Sequence, residues 1–561
     1  MKFLSGNSLT PFEVFQAGLV CLALAVAWIR PRAFGYFFSL VEAWLRKLAA
    51  RPLLSCLAVA LLPLILRAIL LPVYGVPEPG VHDEYGFLLQ ANTFASGRWT
   101  NPTPPLPENF ESIYILMRPT YTAQYQIAQG VVLAAAKILT GIPWLGVYLG
   151  MGLACGLLVW MLEAWLPAVW ALAGGLIAVF QFGVLSYWMN SYFGGTVPCI
   201  GGTLVLGSLP RLLGRRPVAH SFVLSSGLAI LMHSRPLEAL ILFAISLGVL
   251  AYWVFITREL RAPVAVLAPL MTVLLASAAF MGFYNWKVTG STWELPYRVN
   301  QKLYGTPQGF YWQAPITVAS LPNRQLRYEY LAQLKLHERR HSIKALVAGT
   351  FGRLRTFWGF FLTPILTLPL IFLPRIWRAR GMGIVMAMSI VFGLEYLTFF
   401  AFLPQYAAPI TGVILLVVLQ CIRQMRSTPA GLFLSRALPL LLVASVLIPT
   451  AGRFLEPALP ARVSKIWASE FGSELYRARL LKVLLAQGGR HLVIVRYRPD
   501  HVVDTEWVYN DPDIPKSPVI WARQIDSDSI VKLIAQFPGR KVWIGEPDAN
   551  PPALEPYPTS H

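Results

Sequence analysis

Long apolar runs separated by short basic loops make up most of this chain, and the pattern stops only near residue 450. Runs long enough to cross a bilayer as helices fall at residues 12–29, 52–73, 143–163, 168–187, 196–212, 219–234, 236–256, 262–284, 354–373, 382–403, 407–422 and 436–450, which predicts twelve spans. Lys and Arg crowd the loops at 30–51, 211–216, 258–261, 375–380 and 423–436. Twelve spans put all five loops on one side, and their positive charge assigns that side to the cytoplasm. The outer side then holds a loop over about 74–142, the turn 190–195, a second large loop over about 285–353, and everything after residue 450. Within the first loop, 123–140 reads as a helix lying along the outer interface, because a span there would reverse the sidedness of 211–216.

Beyond residue 450 the polar–apolar rhythm is that of a soluble domain. Residues 491–497 alternate as a strand, 527–536 read as a helix and 541–545 as a second strand. The expected organisation is a transmembrane domain over 1–450, a small outer α/β domain over 451–546, and a Pro-rich disordered tail over 547–561. The first run is followed by Arg30 and Arg32 without a small-residue cleavage pattern, so it reads as a retained helix. Gly152 and Gly156 have the spacing of a close helix–helix contact.

Composition sharpens this picture. The 561 residues are 56% hydrophobic and only 13% charged, the balance of a polytopic membrane protein. The net charge of +20 belongs to the membrane part: from Arg453 onward there are 14 basic and 13 acidic residues, which leaves 33 against 14 before it. That surplus suits orientation and anionic lipid head groups. It does not suit nucleic acid, since no basic run is interleaved with aromatics on a polar domain. Cys21, Cys56, Cys155, Cys199 and Cys421 all lie in apolar stretches without metal-ligand spacing and read as packing residues.

Asp83 is the only aspartate in the first 499 residues, and it stands in Val81-His82-Asp83-Glu84-Tyr85. A chain nearly purged of carboxylates thus sets two together at a membrane surface, where ionisable groups are costly and mark function. Asp83 also suits the N-cap of a helix over 84–96, and the two roles are compatible.

The acidic pair and the segment Gly86-Phe87-Leu88-Leu89-Gln90-Ala91-Asn92-Thr93-Phe94-Ala95-Ser96-Gly97 resemble the GT-C superfamily of membrane glycosyltransferases. The branch they are most similar to holds the protein O-mannosyltransferases and the lipid A aminoarabinose transferases. The resemblance runs to about residue 450, in the order acidic pair, interfacial helix, dense helix core and second outer loop. It implies a mainly α, polytopic GT-C fold. It also implies an inverting enzyme that moves a sugar from a polyprenyl-phosphate carrier to a lipid, glycan or protein acceptor at the outer face of a bacterial inner membrane. No cofactor is required by that chemistry, and a divalent cation is compatible with it.

Transfer of this kind needs a base for the acceptor's proton and cations for the leaving phosphate. On this reading Asp83 is the base, and Glu84 is its neighbour, which orients it or coordinates an ion; His82 lies beside the substrate. Phosphate candidates are Arg118, in Met117-Arg118-Pro119-Thr120-Tyr121, and Arg235, in His233-Ser234-Arg235-Pro236-Leu237-Glu238, where a helix N-terminus favours anions. A structural Arg235–Glu238 pair fits the second motif equally well. The family's Lys-Tyr-Pro-Pro-Gly stretch has Gln124-Tyr125-Gln126-Ile127-Ala128 as its counterpart, so the lysine is absent and Tyr125 remains. In Leu403-Pro404-Gln405-Tyr406, which resembles an Arg-Tyr or His-Tyr turn of the family, only Tyr406 carries over. Tyr187, Asn190 and Tyr297 are further candidates to line the sugar and acceptor sides, with an interfacial aromatic belt as the alternative for the first two. The basic run 335–344, with His337, Arg339, Arg340 and His341, suits lipid phosphates. Asp500, Asp504, Asp511, Asp513, Asp526 and Asp528 read as a solvated surface of the C-terminal domain.

The main rival is a transporter or lipid-carrier flippase, which would set ionisable groups at mid-bilayer on broken helices. Here Glu163 and Glu395 stand in or at the edge of spans, and neither has an obvious partner in the sequence. A receptor or assembly scaffold acting through the C-terminal domain is the third class.

Overall fold

The structure, a computed structural model, describes residues 9–214, 216–257, 261–305, 309–310, 312–315, 321, 323–339, 343–377, 382–399, 402–455, 474–499, 501 and 506–558. All twelve predicted runs coincide with helices. Among the described residues, eight are long and apolar enough to cross a membrane, and the runs Ala168–Gly183, Pro217–Met232 and Gly383–Thr398 are shorter apolar helices. The chain is a multi-pass, mainly helical membrane protein with a small α/β domain at its end.

The N-terminal part runs α1 (Pro11–Ile29), α2 (Gly35–Ala49), α3 (Pro52–Ile69) and the single turn α4 (Leu71–Tyr74). Thr10 caps α1 and Glu13 closes the capping box, then also meets Arg355 at 2.5 Å, so this acid is buried but paired. Residues 35–49, expected within the basic loop 30–51, form the amphipathic α2, and Glu42 on it binds Arg426 and Arg436, each at 3.0 Å. Two of the basic loops therefore meet on one side of the bundle.

The first large segment between spans, expected on the outer side, carries α5 (His82–Ala95), a small hairpin of β1 (Ile115–Leu116) and β2 (Thr122–Ala123), and α6 (Ile127–Thr140). At 14 residues, α6 is too short to cross a core about 30 Å thick. The dense core follows: α7 (Trp144–Leu162), α8 (Ala168–Ala178), α9 (Thr196–Ser208), α10 (Pro217–Met232), α11 (Pro236–Thr257) and α12 (Arg261–Thr289). Gly152 and Gly156 do bring two helices together. A Cβ on either would stand 2.7 Å from the Ala60 carbonyl oxygen or 2.8 Å from that of Cys56, so α7 rides directly on the α3 backbone. Cys155, Cys199 and Cys421 are buried as expected, whereas Cys21 faces outward from α1.

The second large segment between spans contributes α13 (Pro296–Tyr304), α14 (Arg324–Arg339) and α15 (Ile343–Phe357). The bundle closes with α16 (Thr363–Thr367), α17 (Leu373–Trp377), α18 (Gly383–Thr398), α19 (Thr411–Met425) and α20 (Pro429–Leu455).

The C-terminal domain holds α21 (Glu474–Gln487), β3 (His491–Val495), β4 (Val519–Arg523), α22 (Ser527–Gln536), β5 (Lys541–Glu546) and β6 (Ala553–Pro556) in a sheet of order β4-β3-β5-β6. β3 pairs in parallel with both β4 and β5, while β6 runs antiparallel to β5. This corrects the disordered tail expected over 547–561: residues 553–556 form an edge strand, where proline is tolerated because one row of N–H groups faces away from the ladder. The acids are not simply a solvated surface either. Asp526 caps α22, Asp511 bonds Asn92 of α5, and Asp500 and Asp504 lie outside the described residues.

Candidate active site

The first turn of α5 sets out the site. Val81, not Asp83, is the N-cap, which leaves Asp83 at the second helical position with its carboxylate free of capping duty. Glu84 does the capping: its buried Oε2 accepts from the N–H groups of Gly80 (2.6 Å) and Val81 (3.2 Å), and its Oε1 accepts from Tyr192 N–H (2.9 Å). Burial outweighs these bonds and lifts the Glu84 carboxyl to about 7. With both oxygens spent on backbone, Glu84 is a clamp between α5 and the turn at 190–195, not the ion ligand or orienting partner expected of it.

Asp83 is partly exposed, and its Oδ1 accepts a hydrogen bond from Tyr125 Oη at 2.9 Å. Burial raises its pKa, against the Tyr125 bond and the charges of His82 and Arg235. Burial and the adjacent carboxylate hold Tyr125 well above the ordinary phenol range, so it remains a donor. Its ring lies on Phe87 at 4.4 Å and against Gly86, where a Cβ would stand 2.7 Å from Tyr125 Cε2. The glycine is what lets the ring reach Asp83 across the helix surface.

Arg235 arrives from the other side. Its carbonyl starts α11, and the bond from Ala128 N–H to His233 O (3.0 Å) ties the end of α10 to the start of α6. The guanidinium lies 4.2 Å over the ring of Tyr406 and makes no side-chain hydrogen bond among the described residues. Tyr406 is within electrostatic reach of Arg235, Asp83, Tyr297 and Glu238, and Tyr297 is 40% exposed, so the group borders an accessible space. Tyr187 belongs to the same group; its hydroxyl donates to Gln405 Oε1 at 2.5 Å, which fixes the turn carrying Tyr406.

Four expectations change. Arg118 forms an exposed ion pair with Glu108 at 2.7 Å and has no contact with the Asp83 group among the described residues. Asn190 is a structural pin: its Oδ1 accepts from Arg67 Nε (2.7 Å) and its amide donates to the carbonyls of Val184 and Ser186. Glu395, without a partner in the sequence reading, sits within electrostatic reach of Glu238 and Arg235. His82 is bonded through Nδ1 to Tyr509 of the C-terminal domain. Of the basic run 335–344, Arg340 and His341 lie outside the described residues, and His337 is buried instead of facing lipid.

Two contributors went unread. Tyr114 holds a left-handed backbone (φ 63°), a costly conformation for an aromatic residue and one that concentrates at functional sites. It stands edge-on to both His82 and Tyr125 at 6.1 Å. Tyr509 lies 427 residues away from His82 in sequence. Among the described residues no three His, Cys, Asp or Glu side chains gather as metal ligands.

No family model matches the chain, and no curated protein matches it. Solved structures do. The oligosaccharyltransferase of Archaeoglobus fulgidus in complex with Zn and sulfate is 12% identical, aligned over 88% of this chain and 67% of its own, with a TM-score of 0.43. ArnT from Cupriavidus metallidurans bound to undecaprenyl phosphate is 14% identical, over 88% of this chain and 92% of its own, with a TM-score of 0.44. Likeness at this level assigns no activity, so the functional reading rests on the site itself.

Proposed function

We propose that the chain is a GT-C-type glycosyltransferase that moves a sugar from a polyprenyl-phosphate carrier to an acceptor at the outer face of a bacterial inner membrane. The acceptor is a lipid, a glycan or a protein. One observation carries the reading: a partly exposed carboxylate, Asp83, accepts a hydrogen bond from Tyr125 and lies within electrostatic reach of a guanidinium, Arg235, that stands 4.2 Å over the Tyr406 ring and makes no side-chain hydrogen bond among the described residues. The acceptor hydroxyl oxygen attacks the anomeric carbon and gives its proton to Asp83. The bond from that carbon to the phosphate oxygen breaks, the electron pair leaves on the phosphate, and Arg235 holds the carrier phosphate as charge grows. Direct displacement inverts the anomeric centre. The carrier follows from sidedness, because nucleotide sugars are cytoplasmic and the site belongs to the outer segments.

A transporter or flippase draws support from Glu238 and Glu395 near Arg235. Both acids, however, sit at helix ends, in the first turn of α11 and the last turn of α18, not at mid-span. Purified protein given a labelled polyprenyl-phosphate sugar and candidate acceptors, without any gradient, separates the two: the glycosyltransferase turns over and the transporter does not.

Gly86→Ala tests the Tyr125 contact. Alanine at an interior helix position gains about 0.5–1 kcal/mol, yet the added methyl displaces the Tyr125 ring from Asp83. The expected result is a folded protein with transfer reduced roughly tenfold, since small misplacements at a reacting centre are costly; unchanged turnover would remove Tyr125 from the site. For sidedness, cysteine at the exposed position Ser96 is expected to react with an impermeant thiol reagent from outside, and one at Ser427 is not. The reverse labelling overturns the topology and the lipid-carrier argument with it.

A further inference from the structure

The first turn of α5 is gripped from two directions. Glu84 ties it to the membrane domain, as described above. From the C-terminal domain, the segment 507–511 takes hold of the residues on either side of the Asp83–Glu84 pair. Tyr509 Oη bonds His82 Nδ1, and the Tyr509 ring lies parallel to that of Tyr85, with centroids 4.0 Å apart and planes 5° from parallel. Both tyrosines are almost wholly buried. Arg477 of α21 fixes the segment from behind, donating to the carbonyls of Trp507 (2.9 Å) and Tyr509 (2.8 Å) while its guanidinium lies 5.1 Å over the Tyr85 ring. Asn92 further along α5 donates to Asp511 (3.1 Å), and Tyr121 Oη donates to the Asn510 carbonyl (2.9 Å).

A soluble domain that only covered apolar surface would have no reason to spend a hydrogen bond and a stacked aromatic pair on the two residues that bracket the Asp83–Glu84 pair. A stacked pair between domains is directional as well as apolar, and side chains that position a reacting group act through their own supporting contacts. We infer that the C-terminal domain is a positioning element of the transfer site, with Tyr509 fixing, through His82 and Tyr85, where the Asp83 carboxylate stands. This inference rests on Asp83 being the base. Tyr509 itself touches neither substrate nor reacting atom.

Tyr509→Phe keeps the stack and deletes the bond to His82. The assay is transfer from a labelled polyprenyl-phosphate sugar by the full chain, with kcat, donor KM, the pH profile of kcat/KM and the Tm recorded beside Asp83→Asn. The groups facing Asp83 are His82 and Glu84 on its own helix, Tyr125 and Tyr114 from the outer loop, Arg235 before α11, and Tyr406. The rate rises with pH as Asp83 loses its proton. A loosened first turn admits water and relieves the burial that raises its pKa, so the acidic limb moves to lower pH. The expected result is a kcat lower by about tenfold or more, an unchanged donor KM, that acid-ward shift, and a Tm near that of the parent. Arg477→Lys, which slackens the same segment from behind, is expected to shift the limb in the same direction.

Wild-type kcat and an unmoved limb in both variants, beside an inactive Asp83→Asn, would overturn the inference and leave the base reading standing. A loss of activity that only follows the folded fraction, with an unmoved limb, overturns it too by making Tyr509 structural. An active Asp83→Asn sinks the base reading, and the inference falls with it.

Discussion

Asp83→Asn is expected to be well expressed, thermally near normal and almost inactive. Asn is close to Asp in size and still accepts the Tyr125 hydrogen bond through its Oδ1, so the local packing survives. The N-cap is Val81 and the capping carboxylate is Glu84, so no helix-end bond is lost with the charge. What disappears is the basic oxygen. Removing a general base typically costs 10²- to 10⁴-fold, roughly 3–5 kcal/mol of transition-state free energy. Glu84→Gln is expected to behave the other way round. Its amide nitrogen must face a backbone N–H of Gly80, Val81 or Tyr192, and leaving a buried donor unsatisfied costs about 1–3 kcal/mol. The Tm should therefore fall, with the turnover of the folded fraction retained. Thermal unfolding and turnover measured on the same preparations separate the two carboxylates. Full transfer by Asp83→Asn would return this residue to a mere helix-end position.

The sequence carried the existence of the spans because an apolar run is its own signal at bilayer scale; the expected 143–163 became α7 with little change, whereas 354–373 is divided between the end of α15, α16 and the turns around it, and 436–450 is only the middle of α20. It failed where burial is complete or half-hidden. Val519–Arg523 is buried at every position, so β4 shows no alternation to read, and β6 sits among prolines that normally argue against a strand. The mostly exposed amphipathic α2 was masked by Arg46 and Lys47, which it carries, and by the arginines that flank it. At the site, Asp83 was conspicuous because the chain contains so few acids, and Arg235 because it precedes a helix-starting proline. Tyr114 depends on a backbone angle and Tyr509 on domain docking, and neither has a local signature. Arg118 misled because nearness in sequence to Asp83 is not nearness in space, and Glu108 takes its charge.

Arg235→Lys is expected to lose most transfer activity while the protein remains folded, and Arg118→Ala to lose little. Lysine keeps the positive charge opposite Glu238 and Glu395, so no uncompensated pair of acids is left in the bundle. It cannot reproduce the planar fork that grips a phosphate in two places, and it changes the cation that stands 4.2 Å over the Tyr406 ring. Losing one preorganised donor to developing negative charge costs about 10²- to 10³-fold elsewhere, and a comparable fall in kcat is expected here. Arg235→Ala is the poorer test, since it removes the cation from the two acids and couples activity to folding. Arg118, 63% exposed and paired with Glu108, belongs to the class of surface ion pairs worth at most about 1 kcal/mol. Kinetics on both variants decide between them: a silent Arg235→Lys together with an inactive Arg118→Ala would move the phosphate away from Tyr406 and toward the β1–β2 hairpin.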